Sequence, residues 1–286
     1  MINRREQGNP CIQGDTSMQN ITEGPLLLVR EGFTARIILN RPEKKNALNN
    51  PMLSKLVVSL KEAIADEEIR SIVLTGHGAC FSSGRDIKEF SGPVDLQDDS
   101  LNRATEPFLQ TLTLLLECPK PTIASVRGFA FGGGQALTLA CDFVVAERGT
   151  QFGNVEMAYG FPAAMNIVLL CRHLGRRLGL EIAMTGQPYT AERYREIGLI
   201  NRLADAGDLE HATRDFVEVL NSREQWAVRR TKEAFLTAEN STVQGGLYIG
   251  DQLNQLLRLS SQSRRVHSQS SDVKESIKAT IQNDEQ

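Results

Sequence analysis

The chain has no apolar run approaching the roughly 18 residues that cross a bilayer, so no membrane-spanning helix is expected. It has no excess of basic charge: 32 Lys and Arg stand against 35 Asp and Glu, a formal net charge of −3. That argues against nucleic acid as the main partner. Its five cysteines (Cys11, Cys80, Cys118, Cys141 and Cys171) form no CxxC pair and no cluster with histidine. An odd number without a pairing motif reads as reduced thiols in a cytoplasmic protein, not as a disulfide framework or a zinc site. The four histidines are scattered, so no metal centre is expected. Neither an internal repeat nor a low-complexity linker is visible. The first 20 residues lack the apolar core of a secretory signal. Arg4 and Arg5 hint at a transit peptide, but Glu6, Asp15 and the absence of an amphipathic stripe count against one. Residues 1–20 are expected to be a disordered arm, with Met18 a candidate alternative initiator.

What is present has the composition of a globular protein: 286 residues, 41% hydrophobic and 23% charged, enough for a sizeable core. From Leu26, "LLLVREGFTARIILN" reads as two strands joined by a Glu-Gly turn. "NNPMLSKLVVSLKEAIADEE" then carries helix-start signals, with Asn50 as N-cap and Pro51 at the first helical position. Leu53, Leu56, Val57, Leu60 and Ile64 recur at helical spacing and give one buried face. "RSIVLTG" is a nearly continuous apolar strand of the parallel-sheet kind. The helix "PFLQTLTLLLE" and the strands "PTIASVRG" and "DFVVAE" follow. Strands alternating with helices imply repeated βαβ units. Beyond about Met165 the texture is helical as far as "GLYIGDQLNQLLRLS", and the polar tail offers one weak helix after Asp272. The expected organisation is an arm over 1–20, an α/β core over 21–200 and a helical region over 201–286.

Two glycine-bearing junctions stand out, each after a strand: "TGHGACFSSGRDIKEF" and "FAFGGGQALTLACD". In the first, a dinucleotide-binding fingerprint would need a third glycine where Phe81 stands, and no helix follows at once. In the second, three glycines open a helix. Each costs roughly 1 kcal/mol relative to alanine inside one, so the run needs a reason. One reason is close helix–sheet packing. The other is an anion pocket, because unpaired N–H groups and the helix dipole favour negative charge at a helix start.

Together, "KPTIASVRGFAFGGGQALTLACDFVVA" and "GACFSSGRDIKEF" resemble the two signature segments of the crotonase (enoyl-CoA hydratase/isomerase) family. The likeness continues through "IILNRPEKKNALN", "QFGNVEMAYGFP" and "AMTGQPYTAERYREIGLINRL", covering roughly residues 26–260 in consistent order. The resemblance implies an α/β fold with a crotonase-type ββα spiral core, and a C-terminal helical region that assembles homotrimers or dimers of trimers. It implies an acyl-CoA thioester as substrate, with coenzyme A part of that substrate and no separate cofactor. It places two oxyanion-hole N–H groups at Arg85 and Gly133, where each such donor is worth roughly 3 kcal/mol. Along the CoA it sets Lys45, Ala47 and Leu48, then Asp86, Ile87 and Lys88, with Asp86 and Ile87 near the adenine. Lys45 and Lys88 read equally as phosphate partners or as solvated surface lysines.

Two-carboxylate hydratases of this family carry one glutamate two residues after the glycine triplet. Here that position is Ala136, whereas the second catalytic acid is matched by Glu156. Moving a double bond from C3–C4 to C2–C3 needs one base, which removes a C2 proton and returns it at C4 while the oxyanion hole holds the enolate. Glu156 alone suffices for that, which favours 3,2-enoyl-CoA isomerisation. A hydratase working with Glu156 alone and a non-catalytic acyl-CoA-binding scaffold stay open as alternatives. "GFPAAMN" also departs from the family's usual "IPGAGG", with Ala163, Ala164, Met165 and Asn166 altering the acyl pocket. Arg85 is bulky for its position, and Gln135 and Tyr159 are polar candidates near the acyl group, each favoured as structural over catalytic.

Overall fold

The computed structural model describes residues 20–90, apart from 22, and residues 100–259. The expected N-terminal arm, save for residue 20, and the helix after Asp272 lie outside the described residues. The chain divides into two compact units, one up to Gln225 and the other from Trp226 onward.

In the first unit β1 (Leu26–Glu31) and β2 (Thr34–Leu39) form the anticipated hairpin, with Glu31 opposite Thr34. Gly32 turns it with a φ of 59°, a conformation that costs glycine little. Helix α1 (Asn50–Ala65) buries Met52, Leu53, Leu56, Val57, Leu60 and Ala63. Its cap is Asn49, one residue before the Asn50 expected from sequence: Asn49 Oδ1 accepts the Met52 N–H at 3.1 Å. β3 (Ser71–Gly76) is followed by the short α2 (Ile87–Phe90) and by α3 (Ser100–Leu116), which starts well before the helix anticipated from Pro107. Next come β4 (Thr122–Val126), β5 (Phe129–Phe131), α4 (Gly133–Ala140), β6 (Phe143–Glu147) and β7 (Gln151–Gly153). A 3-10 turn over Val155–Tyr159 leads to α5 (Ala164–Leu174), α6 (Arg176–Thr185), β8 (Tyr189–Thr190), α7 (Ala191–Glu196), β9 (Arg202–Ala204) and α8 (Leu209–Asn221). The second unit holds α9 (Gln225–Glu239), but for its first residue, and α10 (Val243–Leu259).

The main sheet has the order β1-β2-β3-β4-β6-β9, parallel from β2 onward. Alternate side chains of one strand point to opposite faces, and both faces are filled. Ile72, Leu74, Ala124 and Val126 join the large core with α1, α3 and α4. Val73, Ile123 and Val145 meet Leu209 and Val217 of α8 on the other side. A strand covered on both faces reads as a continuous apolar run, which explains "SIVL". A second sheet, β5-β7-β8, has strands of two or three residues, too short to leave a period in the sequence. β5 and β7 run parallel and bring the ends of Phe131 and Gly153 together, so the stretches before the glycine triplet and before Glu156 are aligned by one short ladder.

Replacing the cap tests the helix start. Asn49→Ala should cost about 1 kcal/mol of stability, measured as a lowered midpoint in urea unfolding, whereas Asn50→Ala leaves the cap bond in place and should move the midpoint less.

Candidate active site

The glycine triplet sits where four segments converge, and each glycine meets a different neighbour. A Cβ on Gly132 would stand 2.9 Å from Glu156 Oε2, and its φ of 49° with ψ of −114° is a conformation side chains avoid. A Cβ on Gly133 would stand 3.2 Å from Arg85 Cγ, 3.3 Å from Arg85 N and 3.4 Å from Leu48 Cδ1. A Cβ on Gly134 would fall 2.8 Å from Ser82 Cβ. The run of three is therefore one packing requirement repeated against three surfaces.

The loop carrying Arg85 is clamped from both sides. Leu48 N–H donates to Gly84 O at 2.8 Å and Asp86 N–H donates to Leu48 O at 3.0 Å, a parallel bridge between Leu48 and Arg85. On the other side Ser82 N–H donates to Phe129 O, and Phe131 N–H donates to Ser82 O at 3.0 Å. Ser82 Oγ donates to Asn46 O and accepts the Gly84 N–H. Buried Asn46 accepts from Arg41 N–H and donates to His77 O and Cys80 O. The Arg85 and Gly133 amide nitrogens thus border one small space. Gly133 opens α4, where the first N–H groups have no partner within the helix and the dipole is positive.

Glu156 lies in the 3-10 turn, its carboxylate against Gly132. Burial pushes its carboxyl pKa up, opposed by a backbone hydrogen bond and by the Asn166 side chain, and burial prevails. Asn166, buried in α5, also donates from Nδ2 to Gly132 O at 2.9 Å. The turn is anchored from behind. Asn154 Oδ1 accepts from Gln135 Nε2 at 3.2 Å, and Gln135 Oε1 accepts from Tyr194 OH at 2.9 Å. Burial of Tyr194 drives its phenol pKa far upward, so this hydroxyl stays protonated and donating.

Glu156, Gly133, Arg85 and Leu48 are brought together. Ala47 and Leu48 run beside Arg85 and Asp86, while Lys45, Ile87 and Lys88 are exposed. Asp86 accepts from Arg41 Nη1 at 3.1 Å, and the same nitrogen donates to Ala47 O at 2.7 Å. Gln135 is fully buried in the anchoring network rather than turned to an acyl pocket, and Tyr159 is 75% exposed. Ala136 is wholly buried in the core. The Arg85 side chain donates to Asn50 Oδ1 at 3.2 Å and lies 5.2 Å from the Phe108 ring centre. Sequence reading overlooked Arg41, for which the only signal was its place before "PEKKNAL", and treated Asn166 only as a departure from glycine.

Two backbone amides close together, with a desolvated carboxylate nearby, are the parts from which a site that stabilises an enolate while a proton moves can be built. The chain belongs to the enoyl-CoA hydratase/isomerase family, whose model matches residues 30–277. It is 31% identical over 234 residues to the 2,3-dehydroadipyl-CoA hydratase of Escherichia coli, covering 81% of this chain and 89% of that one. Among solved structures it resembles an enoyl-CoA hydratase/isomerase from Xanthobacter autotrophicus, at 31% identity and a TM-score of 0.72 over 79% of this chain and 83% of that one. An enoyl-CoA hydratase from Bacillus anthracis superposes with a TM-score of 0.81 at 25% identity, covering 87% of this chain and 96% of that one. The α/β crotonase fold expected from the motifs is therefore the fold found.

The raised pKa of Glu156 has a consequence for stability. The folded carboxyl holds its proton more tightly than the unfolded one, so the protein loses stability as pH rises from below the unfolded value, about 4.3, through the folded one. Glu156→Gln removes that loss. Its melting temperature should exceed the wild type's at pH 7, with the gap closing below about pH 4.

Proposed function

We propose that this enzyme isomerises 3-enoyl-CoA thioesters to their conjugated 2-enoyl forms, with Glu156 as the only catalytic carboxylate. The observation that carries the reading is the pairing of Glu156 against Gly132 with a buried alanine, Ala136, at the position of the second acid. The thioester oxygen sits between the Arg85 and Gly133 N–H groups. Glu156 takes the C2 proton, the electron pair moves into the thioester as an enolate, and the protonated carboxyl returns the proton to C4. A carboxylate with a raised pKa is the stronger base, which suits it to the first half, the removal of the C2 proton. Lys45, Ala47, Leu48, Asp86, Ile87 and Lys88 line the path of the CoA, and the two exposed lysines face its phosphates. Exposed apolar side chains on α9 and α10, among them Phe235, Leu247 and Tyr248, support assembly into trimers or dimers of trimers.

The name of the E. coli relative favours a second reading, hydration of a 2-enoyl-CoA by Glu156 alone. Mass spectrometry of a 3-enoyl-CoA incubated in deuterated water separates the two. A conjugated product with deuterium and no added water, lost in Glu156→Gln, is the expected result. A product heavier by one water would replace isomerisation with hydration, and full activity of Glu156→Gln would remove both.

Gly133→Ala tests the oxyanion hole separately from the base. Its backbone is not in the left-handed region, and the clash distances are met by small shifts, so the fold should hold within about 1 kcal/mol. The new methyl nonetheless stands beside Arg85 N, and kcat/KM should fall about a hundredfold or more.

A further inference from the structure

We propose that Asn166 Oδ1, beside Glu156, accepts a hydrogen bond from an O–H group of the reacting complex, which makes Asn166 a specificity-determining residue beside the base. The inference rests on the reading of Glu156 as that base. Asn166 is 3% exposed, and its Nδ2 donates to Gly132 O at 2.9 Å. Only an N–H can face a carbonyl oxygen at that distance, so this bond fixes which way the amide points. The same side chain works against the rise in the Glu156 pKa that burial causes. What remains is Oδ1, buried and without a hydrogen-bond partner.

Glu156 Oε2 is in the same condition, buried and unpartnered. Both groups flank Gly132: the amide sits on its carbonyl, and Oε2 lies 2.9 Å from where its Cβ would be. Buried polar atoms are nearly always hydrogen-bonded. As the base, Glu156 has its unpartnered oxygen free to take a proton, but Asn166 Oδ1 calls for a donor, and an enoyl thioester has none: its carbonyl, sulfur and alkene carbons donate nothing. The complementary group is an O–H, supplied either by water or by a hydroxyl on the acyl chain near C3 to C5, where Glu156 works. If it is water, one O–H donates to Asn166 while the other breaks, its proton passing to Glu156 as the oxygen bonds C3. The C2–C3 electron pair moves into the thioester, and Glu156 then returns the proton to C2. Asn166 would thus do the water-holding for which Ala136 has no polar atom.

The test runs the enzyme in deuterated, oxygen-18-labelled water. Deuterium exchange into the acyl chain reads the Glu156 proton transfer, and oxygen-18 uptake from a 2-enoyl-CoA reads water addition. A parallel assay compares kcat/KM for a 3-enoyl-CoA and its 5-hydroxy counterpart. The expected result is either oxygen-18 uptake, assigning the O–H to water, or about a tenfold preference for the hydroxylated chain without it, assigning the O–H to substrate. In either case Asn166→Leu should lower that quantity about tenfold relative to deuterium exchange, whereas a purely structural loss would lower both together. Asn166→Ser, which keeps a small oxygen acceptor, should fall between and replaces the leucine variant if thermal melting shows that one unfolded. A wild type with neither oxygen-18 uptake nor hydroxyl preference overturns the proposal without any variant, as does an unchanged ratio in the folded variants. Persistent loss of deuterium exchange in Glu156→Gln would still leave the base assignment standing.

Discussion

Everything in the site depends on how closely four backbone segments approach at Gly132, Gly133 and Gly134. A methyl group at any of the three positions would run into a different segment: the Glu156 turn, the Arg85 loop or Ser82. A helix start offers unpaired N–H groups wherever it occurs, but here absent side chains let a loop amide and a carboxylate come within reach of the first of them. The rest of the local architecture holds these partners still. The Leu48–Arg85 and Ser82–Ala130 bridges fix the loop. The chain from Tyr194 through Gln135 to Asn154 fixes the turn that carries the carboxylate.

The site is held in a costly state. Lys45 and Asn46 both have φ near 52°, a region that L-residues enter at a cost of roughly 1–2 kcal/mol. The three hydrogen bonds of the Asn46 side chain offset that cost and fill the buried position. Desolvation of Glu156 is a second expense, which raises the pKa of its carboxyl. Backbone strain and a desolvated carboxylate thus fall within the same site.

The long elements of this fold were legible because their patterns are long. The β1–β2 hairpin, the α1 stripe and the doubly covered strands β3, β4 and β6 each carry their period in plain sequence. The register of "QFGNVEMAYGFP" pointed to Glu156, and the triplet pointed to Gly133. Where reading went astray, the cause was spatial. Asn49 and Asn50 are equally good caps by residue type, and only the bond to Met52 N–H tells them apart. Gln135 was read first as structural, but helical phase alone does not reveal that its partners are Tyr194 and Asn154. Asn166 gave no signal beyond not being glycine, since its role comes from α5 folding back onto Gly132, 34 residues away in the chain.

The parallel sheet also dictates when the site comes into being. β3 pairs with β4 across the whole of α2 and α3, and β6 pairs with β9 only after α5, α6 and α7 have been laid down. Such distant pairings close slowly, because the chain entropy of each loop is lost before its contacts form. Leu48, Arg85, Gly133 and Glu156 come from four successive stretches of this winding. A half-wound chain on the ribosome therefore carries the parts of the site without the site itself, which is assembled only once the spiral has closed.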